Sequence, residues 1–388
     1  MKNIILTSLV VLGLVSCVSQ GTSTKNSLKD PVDYVNPYMG NISHLLVPTY
    51  PTVHLPNSML RVYPERADFT GDRLNGLPLI VTSHRGSSAF NLSPVSGDIS
   101  SIQPVVKYSY DLEVIKPYRY QVYLDEAGVQ VDYALSSQSA VYTIDFESTK
   151  AAHLVFNSRN GDLKIKDNTV RGFQYVDKRT KVYLYAETEQ APEKAGIAKD
   201  GKAVYDEAVT EGRNAAAILS FAPGTQRVNI RYGISFISEE QAKKNLEREI
   251  DCYDVKMIAK AGRDIWNDAL GKISVADGAE EDMKVFYTSL YRCYERPVCL
   301  SEDGQYYSAF DGNIHDDKGR PFYTDDWIWD TYRATHPLRI LIDPKRENDI
   351  IHSFLLMAQQ MGDNWMPTFP EVTGDSRRMN SNHGVATV

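Results

Sequence analysis

Cysteine is scarce, with four in 388 residues. Setting aside Cys17 leaves Cys252, Cys293 and Cys299, an odd number with no CxxC pair and no Cys/His spacing of a zinc site, so no metal cluster is signalled. A bridge between Cys293 and Cys299 is open to an exported chain, but three unpaired cysteines in the interior are the expected state. Basic charge is also short. With 42 Lys and Arg against 50 Asp and Glu the net charge is -8, which excludes the dense cationic face needed by nucleic acid or an anionic membrane. Long like-charge blocks are missing, so most charges form a solvated surface. The serine-hydrolase elbow, the P-loop, the dinucleotide fingerprint and HExxH are all absent, which removes support for nucleotide, phosphate and zinc-protease chemistry.

What is present is a globular composition, 42% hydrophobic and 24% charged, over a length that favours two domains. Tyrosine stands out, with 24 Tyr against 12 Phe and 4 Trp. A ring with a wet hydroxyl suits a sugar-binding surface, and it equally suits a well-packed β-sheet.

The chain opens Met1-Lys2-Asn3, follows with an apolar run over residues 4–15 and reaches Leu14-Val15-Ser16-Cys17. Charge, short hydrophobic core and small residue in that order read as a secretion signal, too short to span a bilayer. The four last residues resemble the bacterial lipobox, in which the cysteine thiol receives diacylglycerol. An ordinary signal peptide with a chance cysteine is the alternative. Residues 18–30, rich in Ser, Thr and Lys, then form a tether. The expected location is therefore outside the cytoplasm, lipid-anchored through Cys17 in a bacterial envelope, with the lipid as the sole membrane contact.

Residues 31–238 carry apolar residues with a period of two. Tyr118, Tyr120, Val122 and Leu124, then the turn Asp125-Glu126-Ala127-Gly128, then Val129, Val131, Tyr133 and Leu135 predict a β-hairpin. Similar stretches at 141–146, 182–186 and 228–236 make an antiparallel β-sandwich the economical first domain. After Ser238 the period becomes helical. Ser238 with Gln241 predicts a capped linker helix running to about Trp266, within a linker region of 239–277. Asp277 with Glu280 repeats that capping pattern before Met283, Phe286, Tyr287, Leu290, Tyr291 and Tyr294, and Pro297 stops the helix. A third helix is predicted over 327–333. A fourth is capped by Asp343, has Pro344 at its first position, buries Ile350, Ile351, Phe354, Leu355 and Ala358, and ends at Gly362. About four helices in residues 251–388 cannot wrap a closed barrel, so the segment 278–388 is expected to be a partial α-helical domain.

Chemistry concentrates in residues 323–333, where Asp325, Asp326 and Asp330 accompany Trp327, Trp329 and Arg333. On one continuous helix Asp326, Asp330 and Arg333 share a side, and aromatic rings beside carboxylates are what a sugar needs. A capped helix start with buried tryptophans and an ordinary Asp330 to Arg333 ion pair is the plainer alternative. Trp365-Met366-Pro367-Thr368-Phe369-Pro370-Glu371 forms a second aromatic loop, His44, Tyr50 and His54 a third loop system, and His383 a lone histidine among small polar residues.

The order of these motifs resembles glycoside hydrolase family 92 from Asp30 onward. The resemblance rests on Val35-Asn36-Pro37-Tyr38-Met39-Gly40, Leu55-Pro56-Asn57-Ser58-Met59, Leu92-Ser93-Pro94-Val95-Ser96-Gly97, Ile234-Ser235-Phe236-Ile237-Ser238, and above all Trp329-Asp330-Thr331-Tyr332-Arg333 and Asn382-His383. It implies an N-terminal β-sandwich joined to an (α/α)6 barrel that this chain does not complete. It also implies calcium-dependent, inverting hydrolysis of α-mannosides on mannose-containing glycans. Carried over by position, Asp330 contacts the reacting sugar, with Trp329 and His383 as neighbours. The family's acid and base fall in later motifs, expected beyond residue 388, so the 388-residue chain is expected to be inactive alone, and poorly soluble because half a barrel leaves apolar helix faces exposed. The loop Val47-Pro48-Thr49-Tyr50-Pro51-Thr52 replaces a more Gly-rich one, so no mannosidic linkage is assigned. A surface lipoprotein that binds glycans without cleaving them is the competing function.

Overall fold

The computed structural model describes residues 29–41, 49–66, 71–82, 88–147, 149–276, 278–363, 365–379 and 382–388. The expected lipid attachment at Cys17, most of the tether, His44 and the Asp277 cap lie outside them.

Every strand pairing in the first half is antiparallel, and fourteen strands between Arg73 and Ser235 form one continuous hydrogen-bonded sheet. The predicted hairpin is Arg119–Leu124 against Val129–Leu135, closed where the Gly128 N–H donates to the Asp125 carbonyl at 3.1 Å. Alternation is strict where the sequence alternates. Lys181–Thr188 buries every second residue, and so does Arg119–Leu124. The inward tyrosines tie layer to layer: the Tyr142 hydroxyl donates to the Pro78 carbonyl and that of Tyr232 to Leu79, each at 2.7 Å.

The sandwich is therefore two layers of a single sheet, because long strands pass from one layer to the other. Ala152–Lys166 pairs with Ala89–Ser96 through its first half and with Thr169–Tyr175 through its second. The crossover needs residues without side chains. A Cβ on Gly161 would lie 1.9 Å from the Phe173 carbonyl oxygen, and one on Gly172 would lie 2.1 Å from that of Asp162.

Seven α-helical segments follow among the described residues: α1 Glu239–Glu249, α2 Val255–Leu270, α3 Glu280–Cys293, α4 Ile328–Thr331, α5 Thr335–Ile342, α6 Pro344–Met361 and α7 His383–Thr387. The Ser238 hydroxyl does cap α1, accepting the Gln241 N–H at 3.0 Å. The single predicted helix is two, however. Ile250 turns extended, and Asp254 caps α2 by accepting from the N–H groups of Lys256 and Met257. Helix α3 begins at Glu280 after Ala279, without a side-chain cap. Its predicted face is covered at Tyr287, Leu290, Tyr291 and Tyr294. The third predicted helix is only the single turn α4. In α6, Pro344 stands at the first position and Gly362 closes the end with φ 77°, while Leu355 faces outward instead of inward.

Both linker helices lie on the sheet. The Asn245 amide in α1 donates to the Ile234 carbonyl at 2.9 Å, and fully buried Trp266 in α2 donates to the His54 carbonyl at 2.7 Å. Helices α5 and α6 pack on each other, as do α2 and α3. Cys252, Cys293 and Cys299 are free thiols, so the possible bridge between the last two is not made. No described helix is long and apolar enough to cross a membrane.

Candidate active site

The site begins with two neighbouring aspartates that turn opposite ways. Asp325 has φ 66°, a left-handed conformation that Asp tolerates, and its carboxylate receives both Arg61 and Arg296. Asp326 is fully buried, with its N–H donating to the Pro370 carbonyl at 3.0 Å and its Oδ1 accepting from the Thr331 hydroxyl at 2.9 Å. That pairing pins one end of α4 to the loop before it. The helix then stops, because Ala334 leaves the helical region (φ -138°) before α5 begins.

One short turn changes the expected geometry. Asp326, Asp330 and Arg333 do not share a helix face, since Asp326 precedes α4 and points into the core while Asp330 stays exposed. Arg333 donates to the Tyr332 hydroxyl at 3.1 Å instead of pairing with Asp330. Of the tryptophans, Trp327 is partly covered and Trp329 is 41% exposed, so neither is a core residue of a long helix.

Trp329 and Asp330 stand on a cleft of about 460 Å³. Its lining also includes Thr49 and Tyr50 from the sandwich side, Arg292 from the end of α3, Glu295 and Arg296 just beyond it, and Trp327 and Phe369. Trp327 and Phe369 stack at 6.0 Å with 13° between planes, and the Arg296 guanidinium lies 4.2 Å over the Trp327 ring. His383, distant in sequence, stacks on Tyr332 at 3.9 Å and meets the Trp329 ring edge-on at 5.3 Å. The three residues anticipated from the sequence, Asp330, Trp329 and His383, are therefore neighbours.

The two carboxylates lining the cleft differ in state. Burial would raise the Glu295 carboxyl, but Arg292 and Arg296 outweigh it and hold it down at about 2. Its oxygens accept from Arg292 at 3.2 Å and from the Thr52 hydroxyl at 3.3 Å. Glu295 is thus a fixed anion that fastens the sandwich loop to the helices. Asp330 has its carboxyl pushed up, first by burial and then by the Asp326 charge, with Arg333 opposing. Among the described residues it makes no side-chain hydrogen bond or ion pair, so both oxygens can accept from a ligand.

The other sequence candidates separate. Phe369 reaches this cleft, whereas Trp365, 68% exposed, lines an adjoining one of about 510 Å³ that shares Met379. Glu371 turns to Arg378 at 3.4 Å. Tyr50 stacks on Tyr63 at 4.2 Å, and its carbonyl accepts from Arg292 at 2.6 Å. His54 is a core residue, wedged against Trp266 and Tyr291, and burial lowers its imidazole to about 4. Sequence reasoning missed Arg292, Glu295, Arg296 and Tyr332. The signal was present, since Arg292, Glu295 and Arg296 crowd three charges into the end of an aromatic-rich helix.

Among the described residues no group of three or more His, Cys, Asp and Glu side chains is arranged to hold a metal ion.

The cleft thus lies where the β-domain meets the helices, is walled by aromatic rings and holds a carboxylate without a side-chain partner among the described residues, the features of a site for a small polar ligand. Residues 34–235 match the glycosyl hydrolase family 92 N-terminal domain, and residues 241–388 match the glycosyl hydrolase family 92 catalytic domain. The chain belongs to glycosyl hydrolase family 92. It is similar to the inverting mannosidase of that family from Bacteroides thetaiotaomicron VPI-5482, with 28% identity and a TM-score of 0.83 over 92% of this chain and 52% of that one. An α-mannosidase of the family from Bacteroides thetaiotaomicron shares the fold at 22% identity, with a TM-score of 0.84 over 92% of this chain and 54% of that one. A protein described as an uncharacterized secreted glycosidase from Arthroderma benhamiae is 36% identical over 78 residues, 19% of this chain and 10% of that protein. The chain spans about half the length of the solved relatives it matches.

Proposed function

We propose that this protein provides the sugar-holding part of an inverting α-mannosidase acting on mannose-containing glycans. The observation that carries the reading is Asp330, an unpaired carboxylate beside Trp329 on a cleft where the β-domain meets the helices. In this role the Asp330 oxygens accept hydroxyl protons of the reacting mannose, and the rings of Trp329, Tyr332 and His383 cover its C–H faces.

Inversion needs a carboxylic acid to protonate the leaving oxygen and a second carboxylate to activate water from the opposite face. Glu295 does not suit the acid, because its arginines keep it ionised. The acid and base are assigned to the part of the relatives that this chain does not span, and the chain alone is expected to bind without releasing mannose. Calcium dependence belongs to the same proposal for the whole enzyme, with no residue here assigned as a ligand. Export with a diacylglycerol on Cys17 completes the reading, and Cys17→Ser should move the protein from the detergent to the aqueous phase in a phase-separation assay.

Mannose and mannoimidazole, the inhibitor bound in one solved relative, are the probes. Isothermal titration should detect mannoimidazole binding to the chain, weakened on the order of 10- to 100-fold by Asp330→Ala through loss of charge-assisted hydrogen bonds. Equal affinity in the folded variant contradicts the role of Asp330. Mannose release from a mannan by the chain alone contradicts the assignment of acid and base.

A further inference from the structure

Behind the cleft lies a buried histidine that this function has not used. His336 is 2% exposed, with Nε2 at 3.1 Å from Asp326 Oδ2 and Nδ1 at 2.7 Å from Glu347 Oε1. Nδ1 is hydrogen-bonded to Glu347, while Nε2 lies at ion-pair distance from Asp326 Oδ2, which has no hydrogen-bond partner of its own, so an anion faces each ring nitrogen and the imidazolium is the form that satisfies both. Thr331 joins the group, its hydroxyl donating to Asp326 and lying 3.2 Å from His336 Nε2. Arg339 supplies a second cation, 3.8 Å from Glu347 and anchored by donating to the Cys293 and Arg296 carbonyls. Two anions and two cations thus balance in a space from which water is excluded.

We propose that His336 is a positioning residue for the sugar-facing turn: as an imidazolium it holds Asp326, and through Thr331 the turn α4, keeping Trp329 and Asp330 in place and cancelling the Asp326 charge behind Asp330. The inference rests on Asp330 being the sugar contact. Burial opposes charge on His336, but Asp326 and Glu347 outweigh it and lift the imidazole to about 9. Asp326 in turn is held below the usual range against its own burial, chiefly by His336. The charged groups around the pair are Asp326 and Arg296 from the loops, Glu347 from α6 and Arg339 from α5, and Phe354 of α6 packs its ring edge-on at 5.7 Å.

Opposite signs make the coupling testable. In the full 388-residue chain labelled with carboxyl-13C aspartate, the Asp330 resonance is assigned by its loss in Asp330→Asn and titrated by NMR. His336→Gln leaves Asp326 uncompensated and should raise the Asp330 pKa by about one unit, while Asp326→Asn should lower it by a similar amount. A merely structural role moves both variants the same way, and that result, or no movement in either folded variant, overturns the proposal. If His336→Gln does not fold, imidazole 15N NMR of the unaltered chain decides: both ring nitrogens should be protonated at pH 7.5, and a neutral tautomer there overturns it. These titrations need no sugar, so their failure is distinguishable from a failure of mannoimidazole binding.

Discussion

The sandwich and the helical region handle polarity in opposite ways. In the sandwich most charged pairs meet near the surface, as with Arg227 and Asp145 at 2.5 Å, with Arg66 and Glu113 a covered exception, and apolar side chains fill the interior by alternation. In the helical region surface pairs such as Lys260 and Asp264 are joined by buried ones, with Asp325 between Arg61 of the sandwich and Arg296, and Asp326 on His336, while Ile340, Leu341, Val285 and Trp365 are exposed. A scaffold can place every group where its transfer free energy is lowest. A region that takes the proposed sugar-holding role cannot, because directed charges must be held by partners and aromatic surface must stay open.

The sharpest way to break that contrast is to remove one buried charge. Asp325→Ala leaves Arg61 and Arg296 facing each other without their anion, and chemical denaturation should register a loss of about 3–5 kcal/mol. A loss below 1 kcal/mol makes the buried ions of the helical region no different from surface pairs.

A smaller effect tests the junction between the regions. Glu302 is buried, accepts from the Phe236 N–H at 2.9 Å and the Asn245 amide at 2.7 Å, and burial lifts its carboxyl to about 7. A carboxyl raised on folding contributes stability that is complete below its unfolded value near 4.5 and is lost as pH rises through about 7. Its share of the decline amounts to about 3 kcal/mol at most, and Glu302→Gln should flatten the unfolding midpoint between pH 5 and pH 8. An unchanged pH profile in that variant contradicts an ionising carboxyl at the junction. The smallest effect belongs to the sandwich surface, where Arg227→Ala should cost about 0.2–1 kcal/mol, less still in high salt. A loss comparable with that of Asp325→Ala removes the contrast.

Legibility in the sequence followed the same division. The hairpin around Asp125 and Gly128 and the buried face of α3 were readable because alternation and helical spacing are local consequences of burial. The charges at Arg292, Glu295 and Arg296 were overlooked because a charge run usually means a solvated face, and only packing shows that Tyr50 and Thr52 cover it. The 327–333 helix was overextended for a related reason. Helical spacing describes it well, but the Thr331 bond to Asp326 and the break at Ala334 confine it to one turn.

By itself the sequence determined that a β-rich half precedes a helical half, that Trp329 and Asp330 sit in the motif richest in carboxylates and rings, and that His383 belongs with them through the family pattern. Tertiary structure alone decided which aspartate lies open on the cleft. Asp325, Asp326 and Asp330 are chemically the same side chain, and what separates them is the partner each finds: two arginines, a histidine, or open space in the cleft. Those partners come from Arg61, Arg296 and His336, and no local pattern encodes which of them a given carboxylate will meet.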